Sequence, residues 1–188
     1  MSSLVFAFRA RKVRRNAAIV LLALIAFVSS SRAAIAQTCT AESYCATSEM
    51  IYEPSVGGCS FFGTDVALKE GVAVVGANNA APNGAAYAYR LTAGTWQSDG
   101  VLIRGDGGGL YQGNAVATDG TVAVVGDRLD SDPPCHENLL CGAVNVFRFN
   151  GTAWVEEARL TASDSSLESY FGTDVSVSGD VIAVRSAK

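Results

Sequence analysis

From residue 60 onward the apolar positions fall into short runs, four to eight residues long, separated by Gly, Asn, Asp and Ser. Three of these runs open on the same phrase: FGTDVALKEGVAVVGA from Phe62, QGNAVATDGTVAVVGD from Gln112 and FGTDVSVSGDVIAVRS from Phe171. Each copy alternates apolar and polar residues, turns within two or three residues, and enters a second strand that is apolar on both faces. The period of two predicts strands, and the unbroken apolar runs predict strands covered on both sides. The first unit reads as strands Thr64–Leu68, Val72–Gly76, Ala85–Leu91 and Trp96–Ile103. The second reads as Asn114–Thr118, Val122–Gly126, Ala143–Phe149 and Ala153–Leu160. The third stops after its second strand. Turn residues stand between the strands at Lys69-Glu70-Gly71, Asn83-Gly84, Ala93-Gly94, Asp119-Gly120 and Ser178-Gly179-Asp180. Asn150-Gly151 predicts a type I′ hairpin turn, whose two central residues both require positive φ.

The correspondence continues past the opening phrase. AAYAYRLTAGTW of the first unit matches AVNVFRFNGTAW of the second, ending on Trp96 and Trp154. The copies are offset by 50 and 59 residues, a period typical of propeller blades and similar arrays. The expected fold is all-β: a partial β-propeller of about two and a half four-stranded blades, with units 62–111, 112–170 and an incomplete 171–188. Propellers close with about four to eight blades, so the chain is expected to be a truncated product or a piece of a longer protein.

Residues 1–36 read as a secretory signal peptide rather than as fold. Arg9, Arg11, Lys12, Arg14 and Arg15 form a basic region, Ala17–Val28 is an apolar run, and Ala34-Ile35-Ala36 is a small-x-small cleavage site before Gln37. Twelve apolar residues span only about 18 Å as a helix, short of a hydrocarbon core of about 30 Å. After cleavage the chain would not be an integral membrane protein. The signal holds six Lys and Arg and no acid, which leaves eight basic side chains against eighteen acidic ones, a net charge of −10. Such a chain repels phosphate backbones, which argues against a nucleic-acid partner.

All five cysteines follow the cleavage site, as disulfide-forming cysteines of exported proteins do. Cys135 and Cys141 bracket a loop and are expected to pair. Cys39, Cys45 and Cys59, in the lead-in 37–59, offer one local pair and one leftover. Neither group has zinc spacing, and the lone His136 sits between two expected disulfide partners.

The phrases FGTDV, GVAVVGA and GAAYAYR resemble the FG-GAP repeat, the blade unit of integrin-α-like β-propellers. Leu160-Thr161-Ala162-Ser163-Asp164 ahead of Phe171-Gly172 is similar to a subgroup found in exported bacterial proteins. The likeness spans Ser60 to about Val184. It departs at Gly76-Ala77-Asn78, Gly126-Asp127-Arg128 and Val184-Arg185-Ser186, where the Gly-Ala-Pro is eroded or lost, and at Gln112, which replaces the opening Phe. The family's calcium loop between the first two strands is shortened here to a turn too small for the six to eight oxygens calcium takes.

Four local patterns invite chemistry. Asp127, Asp130 and Asp132 place three carboxylates in the loop after the second strand of the middle unit, a weak candidate for a hard cation such as calcium. A solvated loop is the simpler account. Asp164 and Glu168 form a lesser pair, better read as turn-stabilising. Arg104-Gly105-Asp106 spells a tripeptide that integrins bind, and its neighbours Gly107–Gly109 predict exposure and mobility; chance is the better explanation. Asn150-Gly151-Thr152 matches a glycosylation sequon, but the turn already accounts for it.

A catalytic centre leaves little trace, and a glycosidase-type carboxylate pair, drawn from distant loops, would leave no local spacing to read. His136 has no orienting partner in sequence, and no nucleophile elbow, phosphate loop or metalloprotease motif occurs. The expected function is that of an exported, non-catalytic binding or adhesion protein, secreted, periplasmic or on the cell surface. A protein or glycan ligand would contact the blade loops. The alternatives are the scaffold part of a larger extracellular hydrolase or lyase, and a structural surface repeat.

Overall fold

The computed structural model describes residues 5–11, 45–51, 60–133, 135, 140–163 and 169–187. The expected cleavage site at Ala36 and Gln37, together with Cys39, Cys59, His136, Asp164 and Glu168, lies outside them. Strands β1 (Val5–Arg11) and β2 (Cys45–Ile51) form a two-stranded sheet of their own. One strand falls in the expected signal and the other in the lead-in, where the sequence reading anticipated no strand.

The remaining strands form an all-β array. β3 (Phe62–Lys69), β4 (Val72–Ala77), β5 (Ala85–Thr92) and β6 (Thr95–Leu102) make one four-stranded antiparallel meander. β7 (Ala115–Thr118), β8 (Val122–Asp127), β9 (Ala143–Phe149) and β10 (Trp154–Leu160) make a second. β11 (Asp174–Ser178) and β12 (Val181–Arg185) form a hairpin that repeats the first half of each meander. These are the expected blades, with boundaries within two residues of the sequence reading.

Chemistry at the turns explains how each hairpin closes. Lys69 pairs with Val72 across Glu70 and Gly71, whose φ values are 50° and 77°. Thr92 pairs with Thr95 across Ala93 and Gly94, at 52° and 91°. Two successive residues at positive φ match the right-handed twist of the flanking strands. The expected type I′ turn at Asn150-Gly151 is not formed. Gly151 has φ 97° but Asn150 is not at positive φ, and residues 150–153 make a longer loop. There Asn150 Oδ1 accepts hydrogen bonds from the N–H groups of Thr152 and Ala153, both at 2.9 Å. Asp119 does the same for Thr121 and Val122 at 2.8 and 2.7 Å. A side-chain acceptor here replaces the missing ladder bond.

Packing between sheets follows from the two-faced strands. Every residue of β4 and β8 is buried. Val72, Val74, Ala86, Ala88 and Leu102 of the first blade pack against Val116, Ala123, Val125 and Phe147 of the second. The opposite face of the second blade, with Ala117, Val122, Val124, Val144 and Val146, packs against Phe171, Val175, Val177, Ile182 and Val184. Successive residues of β8 thus point to different neighbours, and burying each valine contributes about 2 kcal/mol.

Candidate functional site

Because the strands run as meanders, their connections alternate between two ends of the blades. One end carries connections of two to four residues: Glu70-Gly71, Ala93-Gly94, 119–121, 150–153 and Gly179-Asp180. The other carries the long connections 78–84, 103–114, 128–142 and 161–173. Polar contacts bind these long loops into one surface. Asn83 Nδ2 donates to Gly107 O, Gln112 Nε2 donates to Gly108 O at 2.7 Å, and Gly105 N–H donates to Glu156 Oε2 at 2.8 Å. Ser169 Oγ donates to Cys141 O at 2.8 Å. Cys135 and Cys141 are disulfide-bonded, with Cα atoms 5.9 Å apart.

Two arginines organise the centre of this end. Arg104 Nη1 lies 3.1 Å from Asp130 Oδ2 and 2.6 Å from Asp132 Oδ2, while its Nη2 lies 2.6 Å from Asp106 Oδ2. Arg159 reaches Asp130 from the fourth strand of the second blade, with Nη2 2.8 Å from Oδ1 and Nε 3.2 Å from Oδ2. Arg159 also donates to the carbonyls of Pro133 and Asp132. The Asp130 side chain is wholly buried, and charge-assisted bonds to both guanidinium groups compensate its removal from water. Burial works against the Arg104 charge, but its bonds to Asp106 and Asp132 and the charge of Asp130 outweigh it, holding its pKa above the ordinary arginine value. Gly108 N–H and Arg104 hold the exposed Asp106 below the usual carboxylate range.

Asp127 has a different task. It is fully buried, and its carboxylate accepts from Leu110 N–H at 3.0 Å, Tyr111 N–H at 3.1 Å and Leu129 N–H at 3.3 Å. It thereby pins the linker between the blades. Burial and the nearby charge of Asp130 push its pKa up to about 6, and the three N–H groups oppose the shift.

The repeated phrase itself builds the joint between blades. A Cβ on Gly76 would lie 2.1 Å from Gly113 O, and one on Gly126 would lie 2.2 Å from Gly172 O. Both glycines sit at ordinary strand φ, so the demand is for space rather than for a special backbone conformation. Gly84 and Gly142, ahead of the third strands, meet the backbones of Gln112 and Phe171 in the same manner. Asp65 Oδ2 accepts from Val116 N–H at 2.7 Å across the first joint, and Asn114 Nδ2 donates to Gly172 O at 3.1 Å across the second.

The family model described as the FG-GAP repeat matches residues 154–187. That segment carries an FG-GAP repeat. The matched segment begins at β10 and ends after β12, so the FG-GAP unit straddles two blades with the joint at its centre. No curated protein matches the chain.

The acidic cluster departs in part from both accounts given by its sequence. Asp127 and Asp130 are buried, so neither is a solvated loop carboxylate, whereas Asp132 stays partly exposed, and Asp130 is engaged by two arginines. Among the described residues no group of three His, Cys, Asp or Glu is arranged to hold a metal. The expected exposure of Arg104-Gly105-Asp106 holds at Gly105 and Asp106 but not at Arg104, whose side chain is 9% exposed and bonds to its own Asp106. Sequence reasoning missed Arg159, whose partners lie 26 to 29 residues away with no local motif.

Proposed function

We propose that this chain is an exported, non-catalytic binding module whose ligand, a protein or a glycan, contacts the long-loop end of the blades. The observation that carries this reading is the asymmetry of the two ends. Tight turns offer little surface, whereas the four long connections are linked through Asn83 to Gly107, Arg104 to Asp130 and Ser169 to Cys141, and 128–142 is itself closed by a disulfide. A surface stiffened in this way loses little conformational entropy when a ligand binds. Leu110, 48% exposed beside the half-buried Tyr111, supplies an apolar contact at its centre. Among the described residues the carboxylates of the acidic cluster there are engaged by arginines or backbone N–H groups, which favours binding over acid–base chemistry. Export is supported by the signal-like residues 1–36 and by the Cys135–Cys141 disulfide.

The test is a screen of the protein against a glycan array and a panel of immobilised proteins. Binding should weaken at least ten-fold in Leu110→Asp and stay unchanged in Thr152→Lys at the turn end. Loss of binding in Thr152→Lys with retention in Leu110→Asp would overturn the assignment.

A further inference from the structure

We propose that Arg185 makes the outward face of the third hairpin a stop for blade stacking, so that this face does not accept a further Phe-Gly blade. Register places it. Within the second blade Gly113 N–H donates to Gly126 O at 3.0 Å, and within the third unit Gly172 N–H donates to Arg185 O at 3.1 Å. Ala115 pairs with Gly126 and Asp174 with Arg185, so Arg185 occupies the position of Gly126 and, one blade earlier, of Gly76.

Those glycines are the contact points of the two joints present. At each, a single Cβ would stand 2.1 or 2.2 Å from the carbonyl oxygen of the incoming glycine, far inside any van der Waals distance. That neighbour is backbone held in a ladder, which cannot step aside as a flexible side chain can. Arginine brings a Cβ and a long charged chain to the same spot, and Arg185 is exposed. An incoming blade would have to move its Phe-Gly turn away from the sheet, breaking the bridge that Gly84 makes with Gln112 and Gly142 makes with Phe171.

The rest of the face remains permissive. Ser176, Val181 and Ala183 stand where the second blade has Ala117, Val122 and Val124. Asp174 keeps the carboxylate with which Asp65 latches the next blade at the first joint. The block therefore lies in one residue. Repeat arrays need such a face to keep their ends from associating, and a charged residue aimed out of a sheet is a common way to provide it.

Two experiments test the inference. In the first, the full chain is extended by a copy of residues 128–187, which adds third and fourth strands and another Phe-Gly hairpin. Hydrogen exchange is then compared with Arg185 kept and with Arg185→Gly. The added hairpin should exchange at least ten-fold more slowly in the glycine version; equal protection in the two overturns the proposal. The second uses the natural chain and needs no extension. Gly126→Arg installs the block at an occupied joint and should speed exchange in Asp174–Arg185 at least ten-fold while β3–β6 keep their protection. Undiminished protection of that hairpin also overturns the proposal.

Discussion

Arg104 and Asp130 form a buried ion pair, 3.1 Å apart, between the linker leaving the first blade and the long loop of the second. Asp130 also holds Arg159, so removing its charge strands two guanidinium groups at once. Asp130→Ala should cost about 3–5 kcal/mol in urea unfolding, the usual result of breaking a buried pair from one side. Asp106→Asn, at an exposed partner of the same arginine, should cost far less because solvent screens the pair. Equal losses would show that burial does not set the strength of the network.

Asp127 gives the fold an unusual pH response. Its carboxyl titrates near 6 in the folded chain, against an ordinary value of 3.8. The folded state therefore binds the proton more tightly, and the Asp127 contribution to stability grows as pH falls from about 7 to about 4. The full gain is about 3 kcal/mol from a shift of this size. Subtracting the unfolding free energy of Asp127→Asn from that of the wild type at each pH isolates the effect. The difference should move in the wild type's favour on acidification; a difference that moves the other way contradicts the assignment.

The Cys135–Cys141 bond closes a short loop at the long-loop end. Replacing both cysteines with serine should lower stability by about 2 kcal/mol through the freed unfolded chain. Hydrogen exchange should accelerate in 128–142 and stay unchanged at the turns Glu70-Gly71 and Ala93-Gly94.

Asp65 latches the first joint through Val116 N–H. Asp65→Ala leaves that half-buried donor unpaired and should cost about 1–3 kcal/mol. The same substitution at Asp174, whose counterpart contact is not made, should be close to neutral. Urea unfolding of the two variants distinguishes a latch from a general effect of the motif.

Much of this fold is legible in the sequence because its strands obey local rules. Val72–Ala77 and Val122–Gly126 are apolar on both faces, as strands between two neighbours must be, and the turns carry Gly where positive φ is needed. Asn150-Gly151 misled because the asparagine side chain accepts the loop's N–H groups and removes the need for a second positive φ. The centre of the long-loop end was not legible. Asp130 looks like any loop carboxylate until Arg104 and Arg159 arrive from positions 26 and 29 residues away. In Arg104-Gly105-Asp106 the burial of Arg104 likewise stays hidden until its partners Asp130 and Asp132 are in view.

The central claim is that the repeated glycines serve as backbone contacts between successive blades. The most direct measurement is urea unfolding of Gly126→Ala beside Gly151→Ala. Gly151 has φ 97° and nothing within 4 Å of an added Cβ, so its substitution should cost only backbone strain, about 1 kcal/mol. Gly126 has ordinary φ, yet its Cβ would meet Gly172 O at 2.2 Å, and its substitution should cost about 3 kcal/mol. A loss at Gly126 no larger than that at Gly151 would contradict the account.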